Sequence, residues 1–415
     1  MILSLRSVSP LLAGMALLML GSGALATILA MRMGQTGVAA WIIGLVMSQY
    51  YVGIVLGTGY GHRLITSVGH IRAYAAFGST MSAATLAHAF TDDPWAWGIL
   101  RFMVGFCAVG MFMCIESWLS ERSTNDNRGR VFALYQSTVY LFQGLAQFMI
   151  QLPDNSGFFL YVLMSVMMSM AVVPVAITRV DAPPLPNPVH FNFIELWRAS
   201  PTGMTAALAS GLVMGAFYGV GPVFAQAVGL ESGGVASFMG AGIIGGLLLQ
   251  WPLGRLSDGR DRRVVILGAC LAILLVCLTL LNKTAEHGYL IFALAVAFGG
   301  LVFTLYPLAV AYTNDHLKPH NIVPAAGGLV MAYGIGAAIG PLGAATAFEF
   351  IGANGVFGFC AAVALALAIL IFSRMHERAA LAIGDQGDFQ VALRTSPVAT
   401  DTDPTIDPVD VSHPA

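Results

Sequence analysis

Two ionisable side chains stand inside a single apolar run of the chain. Arg101 and Glu116 both fall between residues 95 and 119, among Leu, Phe, Met, Val and Gly. A charge at the centre of a membrane helix raises the insertion free energy by roughly 2.5–3.5 kcal/mol. Such residues therefore face a protein interior or a wet cavity and are functional by default. Fifteen residues separate them, about 22 Å along a helix, so they cannot pair; at about 100° per residue they point within about 60° of one another. One face of this segment carries a basic site in one half and an acidic site in the other. The guanidinium could hold an anion with its planar fork or clamp a neighbouring helix's carbonyls. The carboxyl could exchange a proton, or snorkel to the interface.

A second set is neutral. Gln136, Tyr140, Gln143 and Gln147 recur at spacings of 4, 3 and 4, which puts all four on one helical face. Unpaired amides in lipid are costly, so this stripe should face inward, either lining a cavity that hydrogen-bonds a solute or joining helices. Gln49, Tyr50 and Tyr51, then Tyr218 and Gln250, are isolated polar residues in other apolar stretches and weaker candidates for the same cavity. Other chemistries lack their signatures. There is no Gly-Lys-Ser/Thr phosphate loop, no H-E-x-x-H and no G-x-S-x-G, which argues against ATP-driven work and against an enzyme. The five cysteines, Cys107, Cys114, Cys270, Cys277 and Cys360, lie in apolar segments without a C-x-x-C pair or a His at ligand spacing. They read as packing residues. No cofactor or metal is expected, and no basic patch with interleaved aromatics points to nucleic acid.

The elements that must position these residues follow from composition. Of 415 residues, 57% are hydrophobic and 10% charged, against roughly 25% charged in a soluble domain. The apolar residues come in blocks near the roughly 20 needed to cross a bilayer core. Spans are predicted at 9–31, 40–60, 71–90, 95–119, 131–152, 157–177, 202–225, 237–254, 264–282, 288–312, 324–349 and 352–373. The blocks are continuously apolar rather than alternating, which favours helices over a β-barrel. Arg6, an apolar run and Ala24-Leu25-Ala26 imitate a cleaved signal peptide, but the run continues to Met31 and reads as an uncleaved first helix. With the N-terminus in the cytoplasm, sixteen of the nineteen Lys and Arg fall on the inner side, Arg32 and Lys283 fall outside, and Arg101 is within a span. That asymmetry predicts both termini cytoplasmic and an even number of spans.

The organisation expected is a six-helix bundle over 1–177, a cytoplasmic linker over 178–201, a second six-helix bundle over 202–374 and a tail over 375–415. The linker holds Pro183, Pro184, Pro186 and Pro188, followed by an amphipathic piece with Phe193, Ile194 and Trp197, suited to the inner leaflet. After Arg378 the tail has six Asp, one Arg and four Pro, a composition that predicts disorder.

The most specific local pattern follows the eighth span: Gly254-Arg-Leu-Ser-Asp258-Gly-Arg260-Asp261-Arg262-Arg263. A glycine permits close helix packing at the membrane edge, and an acid beside a basic cluster can pin a loop through charge-assisted bonds. This resembles the G-x-L-x-D-R-x-x-R-R loop motif of the major facilitator superfamily, with Gly259 where the family usually has Arg. The equivalent loop after the second span, with Gly61, His62, Arg63, Gly69, His70 and Arg72, keeps the glycines and bases but lacks the Asp. Arg101-Phe-Met-Val-Gly105 resembles the family's R-x-x-x-G motif, and Arg128-Gly129-Arg130 its R-G sequence. Tyr333-Gly334-Ile335-Gly336 with Gly340-Pro341 is similar to a bacterial branch of permeases, the YcaD-like transporters. The drug-antiporter Gly-Pro motif is missing from the fifth span.

The resemblance covers roughly residues 9–375. It implies an all-α membrane protein with twelve transmembrane helices in two six-helix bundles, a central cavity and alternating access. The function expected is secondary active transport of a small solute across the bacterial inner membrane, proton-coupled through Glu116, with the chain a monomer in the lipid bilayer. Gly254, Asp258, Arg262 and Arg263 would form the gating loop. Efflux of amphipathic compounds is one alternative. A non-transporting receptor on the same scaffold is another.

Overall fold

The computed structural model describes residues 2–124, 127–154, 157–177, 193–281, 283, 285–317, 319–377, 386–387, 389 and 392. The described residues form α-helices joined by short loops and 3-10 turns, with no strand among them. In chain order they are α1 (Ile2–Ser22), α2 (Leu25–Gln35), α3 (Ala40–Val68), α4 (His70–Ala87), α5 (Pro94–Glu121), α6 (Arg128–Gln147), α7 (Phe159–Ala176), α8 (Phe193–Ala199), α9 (Pro201–Ala227), α10 (Ser232–Arg255), α11 (Arg262–Leu280), α12 (Tyr289–Asn314), α13 (Pro319–Ile351) and α14 (Asn354–Glu377). Among the described residues ten spans are long and apolar enough to cross a membrane, α1 and α2 together making the first. The more polar α4 and α6 occupy the third and fifth predicted positions and pack among them.

Helices α1–α7 pack on one another, as do α9–α14, while α2, α3 and α6 meet α9, α13 and α10 across the two sets. Large apolar side chains such as Leu275, Ile369 and Phe372 point outward and are exposed, a surface that suits lipid. Small residues set the close crossings. A Cβ on Gly105 of α5 would fall on the Tyr50 carbonyl of α3, and one on Gly211 of α9 on the Tyr333 carbonyl of α13. Without side chains at these points the backbones meet directly.

The first span departs from its predicted single helix. It breaks between α1 and α2 at Gly23, whose carbonyl accepts from Gln147 Nε2 at 2.7 Å. Helix α3 runs two turns past the predicted end at residue 60 and stops at Gly69, where φ is +87°, a conformation that favours glycine. The proline-rich part of the linker lies outside the described residues. In α8, Leu196 is buried and Trp197 exposed.

The end of the molecule carrying the α3–α4 and α10–α11 loops is called the motif end below, and the opposite end the far end. At the far end the two bundles touch: the Ala40 N–H donates to Glu349 Oε2 at 3.0 Å, Gly44 abuts Pro341 and Ala345, and Gly144 abuts Ile244.

Candidate functional site

Between the bundles lies a cavity of about 150 Å³, reaching from the level of Met47 on α3 toward the motif end at Thr58 on the same helix. Its walls are mostly apolar and aromatic, with Phe112 and Tyr51 from the first bundle and Tyr218 and Tyr333 from the second. Among the described residues Arg101 is the one charged side chain that lines it. Helix α5 carries Arg101 there because Gly105, one turn on, lets α5 lie directly on α3. The Arg101 guanidinium carbon sits 4.6 Å from the centroid of the Tyr50 ring, within cation–π range. Arg101 is 5% exposed, and its Nε finds no hydrogen-bond partner among the described residues. No carboxylate pairs with it there.

Six of the nine side chains expected in a cavity are brought together here: Tyr50, Tyr51, Gln136, Tyr140, Gln143 and Tyr218. The Tyr218 hydroxyl donates to Gln143 Oε1 at 3.4 Å, linking the bundles. Gln136 Oε1 is buried and has no hydrogen-bond partner among the described residues. The other three lie elsewhere. Gln147 is wholly buried and serves the α1–α2 break, bonding the Gly23 carbonyl and accepting from Thr27 Oγ1 at 2.8 Å. The predicted stripe therefore crosses two environments, because α6 leaves the cavity one turn after Gln143. Gln49 turns away and donates weakly to the Leu45 carbonyl, 3.4 Å. Gln250 is buried within the second bundle, its Nε2 without a partner among the described residues. Tyr333 lines the cavity although its sequence signal was only the glycine pattern around it. What could have singled it out is a lone tyrosine among small residues on the helix that faces α3.

Glu116 does not line the cavity and does not approach Arg101. It is fully buried and accepts from the Tyr135 hydroxyl at 2.9 Å. The carboxyl is enclosed by protein where it meets Tyr135 of α6, unlike the exposed position that snorkelling requires.

At the motif end, Arg262 is the hub of the α10–α11 loop. It is 2% exposed, and its Nε lies 2.6 Å from Asp315 Oδ2 at the end of α12. Its Nη1 donates to Ser257 Oγ at 2.7 Å and lies 3.8 Å from Asp258. Asp315 was not anticipated, since it stands 53 residues beyond its partner. Arg263 turns to Asp261, which caps α11 through the Arg263 N–H. The tail then completes the cluster. The Gly387 N–H donates to Asp315 Oδ1 at 3.1 Å, its carbonyl accepts from Arg262 Nη2, and the Phe389 N–H donates to Asp258 Oδ1 at 2.8 Å. The Phe389 ring lies on Gly254.

A family model described as Major Facilitator Superfamily matches residues 11–283 and 206–400 of the chain. The chain belongs to the major facilitator superfamily. Within it, the chain is 28% identical over 384 residues to an uncharacterised MFS-type transporter of Enterobacter sp. (strain 638), covering 90% of this chain and 97% of that one. It is 27% identical over 376 residues to the uncharacterised MFS-type transporter YcaD of Salmonella typhi, covering 90% and 97%. Among solved structures the fold is similar to the nucleoside transporter NupG, with TM-score 0.72, 15% identity and coverage of 90% and 99%. It is also similar to a bacterial homologue of the human lysosomal transporter Spinster in an inward-facing, unoccupied conformation, with TM-score 0.69, 12% identity and coverage of 92% and 98%. These relatives and neighbours are superfamily transporters and not enzymes, and this chain is a multi-pass membrane protein of the same kind.

Proposed function

We propose that the chain is a secondary active transporter that moves a small solute across a bacterial inner membrane by alternating access, driven by a proton gradient. The observation that carries this reading is the cavity between two bundles that touch at their far ends, because a solute there is reached from one side at a time. With both termini cytoplasmic, the far end is external and the cavity is served from inside. Glu116 is the proposed proton carrier: a carboxyl held out of water and accepting from a phenol can exchange a proton as its surroundings change. A cavity of about 150 Å³ is below the roughly 300–1,000 Å³ of sites for drug-sized ligands, which favours a small metabolite over efflux of bulky amphipaths.

The test needs no known substrate. Purified chain is placed in vesicles loaded with a pH-sensitive dye, and pools of small metabolites are added outside. Solute-evoked proton movement, absent from empty vesicles, is the expected result. Saturable solute uptake with no proton movement would retain the carrier and remove the coupling. Binding without any flux would favour a receptor.

A further inference from the structure

Taking the chain as a solute carrier, we propose that its solute is a small organic anion, a carboxylate on a flat ring, with the acid group on Arg101 and the ring between Tyr50 and the tyrosines of the second bundle. Arg101 is a buried cation lining the cavity, and among the described residues it has no acidic partner and its Nε has no hydrogen-bond partner. The Tyr50 face compensates it only in part. A guanidinium fork matches a carboxylate in two parallel bonds, and an incoming carboxylate would supply the missing charge. Among the described residues no acidic side chain lines the cavity, so a cationic solute meets only the repulsion of Arg101. A zwitterion leaves its ammonium group opposite neutral atoms. A phosphate dianion brings more charge than one arginine balances. Gln136 lines the same cavity, and its buried Oε1 has no partner among the described residues; it asks for a hydrogen-bond donor, so the ring of the preferred solute carries a hydroxyl or N–H. Tyr50, Tyr218 and Tyr333 supply the faces and edges on which a flat ring packs.

Equilibrium binding to the purified full chain tests this, with 4-hydroxybenzoate, benzoate, 4-hydroxybenzamide, benzylamine and inorganic phosphate as probes. A charge-assisted pair is strong enough that 4-hydroxybenzoate should bind about 10- to 100-fold more tightly than 4-hydroxybenzamide. Arg101→Gln should abolish that ratio, and Arg101→Lys should recover part of it. Gln136→Leu should weaken 4-hydroxybenzoate while sparing benzoate, and Gln136→Glu should lose both acids and gain benzylamine. Equal affinity for acid and amide overturns the proposal, as does no acid binding at millimolar concentration, or an unchanged ratio in Arg101→Gln. Acid binding without flux would instead remove the carrier reading and leave this one standing.

A separate observation supports a second inference: the structure assigns Phe389 the role of a doorstop against closure of the motif end. Helix α10 meets α6 through Gly240 and Ile244 in its far half. Gly254 lies fourteen residues beyond Gly240, which at about 100° per residue returns it to within about 40° of the same direction. If the bundles alternate, the stripe of α10 that must next meet α6 runs through Gly254, and the Phe389 ring already lies on it. The ring is held there by backbone bonds from Gly387 and Phe389 to Asp315 and Asp258. Spin labels at the exposed Ser67 and Ser373 report the motif-end separation. Phe389→Ala, and a chain ending at Glu377, should each raise the short-distance population at least twofold, and Phe389→Trp should retain the wild-type distribution. An unchanged distribution in both Phe389→Ala and the shortened chain overturns the doorstop.

Discussion

Replacing Asp315 by Ala tests whether the motif-end cluster is one electrostatic unit. Arg262 and Asp315 are 2% and 5% exposed and 2.6 Å apart. Removing one member of such a pair leaves the other buried and uncompensated, which destabilises by about 3–5 kcal/mol. Arg262 retains Ser257 and Asp258, the latter 3.8 Å away and about a third exposed, so the lower end of that range, about 3 kcal/mol, applies. If the second bundle melts as a unit of ordinary domain size, at about 2–4 °C per kcal/mol, the melting temperature falls by roughly 6–12 °C. Asp258→Asn removes the longer, wetter contact and should shift melting by no more than about 2 °C, while slowing transport. Thermal unfolding of detergent-purified protein, followed by intrinsic fluorescence, reads both. The double variant Arg262→Met with Asp315→Leu removes the buried charges together and should regain most of the loss, since apolar replacement of a buried pair is often neutral. The reasoning is refuted if Asp315→Ala melts within 2 °C of wild type, or if the double variant is as unstable as the two single losses added.

Glu116→Gln keeps the shape of the buried group and removes its titration, so solute exchange across equilibrated vesicles should survive while gradient-driven accumulation fails; accumulation at the wild-type rate would clear Glu116 of the coupling role. Gln147→Leu leaves the Gly23 carbonyl without its donor and should destabilise the first bundle by about 1–3 kcal/mol, with solute affinity changed less than twofold; a large affinity change would place Gln147 back in the cavity. Reporter fusions at Arg378 and in the loop near Asp92 should give cytoplasmic and external signals respectively, and an external signal from Arg378 would invert the assigned sides.

The architecture was legible because a bilayer imposes a length on every apolar run, and the motif after α10 then pointed to the family. The break at Gly23 was not legible, since it depends on an amide that arrives from Gln147, 124 residues away. The end of α3 was misjudged because Gly61-His62-Arg63 looks like a loop, whereas the helix continues to the glycine that can adopt positive φ. Arg101 was readable as a lone charge among apolar neighbours. Tyr333 was not, because its place depends on which face of α13 meets α3. The Gln136–Gln147 stripe shared a direction but not an environment: periodicity fixes the angle around a helix and says nothing of what stands opposite each turn. Asp315 was invisible for the same reason as Gln147, being a partner supplied by tertiary structure alone.

The contact of Gly105 with the Tyr50 carbonyl leaves α3 and α5 no slack to slide. The guanidinium of Arg101 and the ring beneath it therefore travel as one piece with the first bundle, whatever the second bundle does. Tyr218 and Tyr333 belong to α9 and α13, locked to each other in turn by Gly211. The cavity is thus a tray and a cover, and the proposed rocking would change only the gap between them. In the proposed cycle, charge recognition by Arg101 would then be constant and would set which solute is held. The difference in affinity between the two states, which alone can drive a switch, would reside in the cover.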